Sequence, residues 1–82
     1  MHEVGIASGI LDAVRTETAM RQPARAVKVG VRIGGMAGID PESLAFCFEA
    51  LVKGTDLEPL ELAIEPGQAD ELEFAYLELE QP

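Results

Sequence analysis

The sequence is poor in the residues that cross-link small proteins or hold metals. Its one cysteine, Cys47, allows no internal disulfide and no cysteine-rich zinc site. No apolar run approaches the roughly 20 residues of a membrane span, and the first residues lack the basic and apolar regions of a secretory leader. Beyond Lys53 there is no lysine or arginine. Residues 1–53 hold six acids and six bases, whereas residues 54–82 hold nine acids, so the net charge of −9 belongs entirely to the C-terminal part. That balance disfavours nucleic acid and anionic membranes as partners and favours a basic protein surface or a cation. A soluble, cytoplasmic protein is the expectation.

What is present suffices for one small domain. The chain has 82 residues, 48% of them hydrophobic, near the size at which a single core gives marginal stability. Val4, Ala7, Ile10, Leu11 and Val14 fall at helical spacing, which predicts an amphipathic helix over Glu3–Met20, ended by Gln22-Pro23. Gly5, Gly9 and Ala13 form a small-residue row that suggests close approach to a sheet; a later start with Ser8 as N-cap is the alternative. Ala26–Gly34 alternates, with Val27, Val29, Val31 and Ile33 on one side and Lys28, Gly30 and Arg32 on the other. Gly34-Gly35 and Gly38 mark a turn, since their spacing matches no phosphate-binding loop.

Asp40-Pro41-Glu42-Ser43 is a helix start, with Asp at the N-cap, Pro at N1 and an acid in the first turn. Leu44, Cys47, Phe48 and Leu51 make its buried stripe, and Lys53-Gly54 closes it. Cys47 therefore reads as a small core residue. Leu60–Glu65 alternates as a second strand, and a third begins at Leu72. There Leu72, Phe74 and Tyr76 share one phase and Leu77 and Leu79 the other, which predicts a β-bulge near Ala75–Leu77. The order is α-β-α-β-β. We expect an α+β, two-layer fold in which a three-stranded mixed sheet carries both helices on one face. The β-α-β part predicts a parallel pair, and the short Pro66–Asp70 link an antiparallel hairpin. Lys28 and Arg32 would meet Glu61, Glu65 and Glu73 on the solvated face.

His2 is the only histidine. If Met1 is the true terminus, its α-amine, the His2 amide and the His2 imidazole close two small chelate rings. Three nitrogens then approach one plane, which suits the square-planar preference of Ni(II) or Cu(II).

Met1-His2-Glu3-Val4, Ile10-Leu11, the strand Val29–Gly34 and Gly38-Ile39-Asp40-Pro41-Glu42-Ser43-Leu44 resemble the HypA/HybF family of hydrogenase-maturation nickel metallochaperones. So do Phe46, Phe48-Glu49, Leu51, Lys53-Gly54-Thr55, Leu60–Glu65, Asp70-Glu71-Leu72 and Leu77-Glu78-Leu79-Glu80. The resemblance implies a nickel-binding domain over residues 1–82 and a nickel site at Met1, His2, Glu3 and Asp40. Asp40 has a competing role as helix cap, and Glu3 one as a solvated helix-start acid. The resemblance also implies nickel delivery to a hydrogenase-maturation partner such as a nickel-handling GTPase. The zinc module that the family carries between residues corresponding to about 65 and 71 has no counterpart here. We therefore expect Ni(II) and no zinc, no catalysis, and a possible homodimer by strand exchange at the short turn. The alternative is a metal-independent interaction module, a degenerate zinc-less relative that binds through its acidic half or a free sheet edge.

Overall fold

The computed structural model describes residues 2–82 and contains α1 (Glu3–Ala19), β1 (Arg25–Gly34), α2 (Pro41–Val52), β2 (Glu61–Gly67) and β3 (Leu72–Glu80). The expected α+β class is what forms. Both helices pack against the sheet face that carries Val29, Val31 and Ile33.

In α1 the buried stripe is Glu3, Ala7, Ile10, Val14 and Thr18, one helical face beginning at an acid. Val4, expected inside, is 60% exposed because it lies one residue off that face. Gly5 and Gly9 face open space, so the small-residue row brings no element close. The helix begins at Glu3, not at Ser8, and Met20 is its C-cap. In α2 the buried stripe is Leu44, Phe48 and Val52, with Cys47 half-buried. Val52 takes the inward place expected for Leu51, which is 38% exposed. Gly54 follows with φ +79°, the left-handed closure its position predicts.

The sheet order is β2-β1-β3, with β1 parallel to β2 and antiparallel to β3. The parallel pair is as expected, but the hairpin between the last two strands does not form. β2 and β3 flank β1 on opposite sides, about 10 Å apart at the usual strand spacing. The short link crosses the end of β1, where Gly34 N–H donates to Glu71 O at 2.8 Å and Met36 N–H to Ala69 O at 2.8 Å. Glycine permits the crossing: a Cβ on Gly34 would lie 2.1 Å from the Ala69 carbonyl oxygen. β1 takes the central place, and its apolar row is the most completely buried of the three, with Val29 and Val31 almost inaccessible.

The predicted bulge is present at Ala75, which is unpaired between the Gly30–Tyr76 and Val31–Phe74 pairs. It returns Leu72 and Phe74 to the face of Leu77 and Leu79, and it turns Tyr76 outward over Gly30. A second irregularity at Val27 shifts the phase of β1, so Ala26 is buried and Val27 only half so. On the outer face Arg32 binds Glu73, with Nε donating to Oε1 at 3.1 Å, and has Glu65 and Glu71 carboxylates 3.8 Å away.

Candidate metal centre

The two helices meet at their N-termini. α1 begins with an acid whose position continues the apolar stripe of the helix, so Glu3 is 8% exposed and not the solvated acid its sequence position suggests. A buried carboxylate needs donors. The backbone N–H of Asp40 donates to Glu3 Oε2 at 3.1 Å. That bond holds the Glu3 carboxyl below its usual range, against the opposing effect of burial.

Asp40 caps α2. Its Oδ1 accepts the Glu42 N–H at 3.1 Å and its Oδ2 accepts the Ser43 hydroxyl at 2.9 Å. Its carboxylate is thus engaged at both oxygens; Ser43 belongs to the helix-start motif read from sequence, but its bond to Asp40 was not anticipated there. Asp-Pro-x-Ser is the local signal that could have found it.

His2 occupies the N-cap position of α1, where its carbonyl accepts the Ile6 N–H at 3.0 Å. Its side chain makes no cap bond and is exposed. The backbone of His2 is therefore tied to a helix while its imidazole faces solvent. Met1 lies outside the described residues.

The structure brings Glu3 and Asp40 together and sets His2 immediately before Glu3. Among the described residues no three His, Cys, Asp or Glu side chains are placed to hold a metal ion.

A model described as "hydrogenase/urease nickel incorporation, metallochaperone" and named HypA matches residues 1–72. The chain belongs to the HypA family. It is 48% identical over 65 residues to the hydrogenase maturation factor HypA of Chlorobium limicola, an alignment covering 79% of this chain and 56% of that protein. The HypA of Azotobacter chroococcum is 39% identical over 71 residues, covering 84% and 63%. That of Prosthecochloris aestuarii is 36% identical over 64 residues, covering 78% and 57%. The chain thus spans between 56% and 63% of the length of these HypA relatives. No helix among the described residues is long and apolar enough to cross a membrane.

Proposed function

We propose that this chain is a nickel-binding domain that carries Ni(II) as cargo toward a hydrogenase-maturation partner. The observation that carries the reading is the exposed imidazole of His2, free of any cap bond, at the second residue of a HypA-family chain. In this reading an unblocked Met1 contributes its α-amine, and His2 its amide nitrogen and imidazole. Glu3 and Asp40 complete the proposed site. Glu3 ties the first turn of α1 to the backbone of α2, and Asp40 acts first as the cap of α2 and then beside the metal.

The recipient is a maturation protein of the nickel-handling GTPase kind, and the work is done in the cytoplasm. Catalysis plays no part. The reading includes folding without zinc, supported by a core built from helices and strands and by the single cysteine. Chelator should leave its unfolding curve unchanged. Self-association by strand exchange at the 66–70 turn also belongs to the proposal, and a monomer by light scattering at high concentration would dismiss it.

Nickel titration by calorimetry tests the site. The chain with an unblocked Met1 should bind one Ni(II), and affinity should fall as pH drops because protons compete for the same nitrogens. An N-terminal extension converts the amine to an amide, and His2→Ala removes the imidazole. Each should weaken binding by more than about a hundredfold, beyond the range of outer-shell losses. Equal affinity in all three proteins places the site elsewhere.

A further inference from the structure

Among the described residues both outer strands of the sheet have an open edge, and the two edges differ. β2 carries Pro66, which has no N–H to offer, whereas the nine residues of β3 include no proline and no lysine. Beyond the Ala75 bulge, residues 76–80 alternate without interruption. Leu72 and Phe74 on β3 stay 47% and 38% exposed although they face the helix layer. Between β3 and α1 runs a groove of about 430 Å³ floored by Phe74, Leu77 and Leu79 and bounded by Ala13, Glu17 and Arg21. Glu17 and Arg21 neutralise each other at 2.9 Å, so the helix side of the groove is without net charge.

The outer face is striped by charge. Arg25, Lys28 and Arg32 of β1 lie opposite Glu80, Glu78 and Glu73 of β3, and Lys28 and Arg32 lie opposite Glu61 and Glu65 of β2. A strand added beside β3 meets glutamates on this face and the apolar groove on the other. A second copy of β3 would set the same row against itself, glutamate against glutamate except at Tyr76, which is destabilising. A basic strand continues the alternation.

We propose that the open edge of β3 is a docking site for an extended segment of another protein. In that segment lysine or arginine alternates with apolar residues, and it adds as a fourth strand. Main-chain hydrogen bonds to residues 76–80 supply the attachment. Apolar side chains enter the groove beneath α1, and basic ones face Glu78 and Glu80. This site is separate from the His2 end and does not depend on nickel.

The test is an NMR titration of the full chain with three blocked nine-residue peptides. One alternates lysine with valine, one glutamate with valine, and the third is the lysine peptide N-methylated at every residue. The lysine peptide should bind at least tenfold tighter than either of the others and shift the amides of residues 74–80 together with Ala13 and Glu17. Glu78→Gln combined with Glu80→Gln should weaken it at least threefold, and raising salt should do the same on the unaltered chain. Equal binding of the N-methylated peptide means charge attraction alone and overturns the proposal. So do shifts confined to β2 or α2, or a β3-mediated dimer that the peptide does not displace.

Discussion

The carboxylate of Glu3 accepts the backbone N–H of Asp40 at 3.1 Å, joining residues 37 positions apart. One bond thereby couples the residue after His2 to the cap of the second helix. Its acceptor is buried and its donor is a backbone group that the helix itself leaves unused. Glu3→Gln keeps an acceptor at this place and Glu3→Ala keeps none. Thermal unfolding should therefore rank wild type above Glu3→Gln and Glu3→Gln above Glu3→Ala. An alanine variant that melts with the wild type would show that the bond contributes nothing.

The cap and metal roles of Asp40 separate by substitution. Asp40→Ala loses the acceptors for Glu42 N–H and the Ser43 hydroxyl and should cost about 1 kcal/mol in urea unfolding. Asp40→Asn retains a good cap and should unfold with the wild type. Its nickel affinity should nevertheless fall about tenfold, in the range of groups that stand behind primary ligands. Unchanged affinity in Asp40→Asn would confine Asp40 to capping.

Two glycines of β1 face different obstacles. A methyl group at Gly30 meets the Tyr76 ring at 2.1 Å, but that ring is the far end of a side chain on the outer face and can swing away. A methyl group at Gly34 meets the Ala69 and Gln68 carbonyl oxygens at 2.1 and 2.5 Å, where only backbone movement relieves the clash. Gly34→Ala should cost about 3 kcal/mol or more and Gly30→Ala about 1 kcal/mol. Denaturant midpoints in the reverse order would mean that the link does not cross the strand so closely.

Acid stability should carry a contribution from Asp56. Arg15 Nη2 lies 3.1 Å from Asp56 Oδ1, and its hydrogen bond and charge hold the Asp56 carboxyl below its usual 3.8. A folded-state value below the unfolded one means that the stabilisation is complete above the unfolded value and is lost as pH falls through the folded one. Asp56→Asn should therefore flatten part of the stability loss from about pH 5 downward. Both side chains are about half exposed or more, so the effect is small and disappears in high salt. An unchanged acid limb in Asp56→Asn at low salt would remove the ion pair from the account.

The local features were legible in the chain because their signals act over four residues or fewer. Asp40-Pro41 capping, the Gly54 closure and the alternation of β1 belong to this class. The bulge at Ala75 was legible too, from the reversed phase of Leu77 and Leu79. Of the proposed site, Met1, His2, Glu3 and Asp40 come from the sequence and its family resemblance.

Tertiary structure decided the rest. Whether β3 joined β2 or β1 depended on which strand could bury its apolar row deepest, and on the close crossing at Gly34. Neither is expressed in the turn residues themselves. Whether Glu3 was solvated or buried depended on the rotation of α1 that seats Ala7, Ile10 and Val14 in the core, and that rotation carries Glu3 inward. One partner for its buried carboxylate comes from the start of the other helix, 37 residues away. A helical stripe is read along the chain, but the group that meets its polar end exists only once the helices pack.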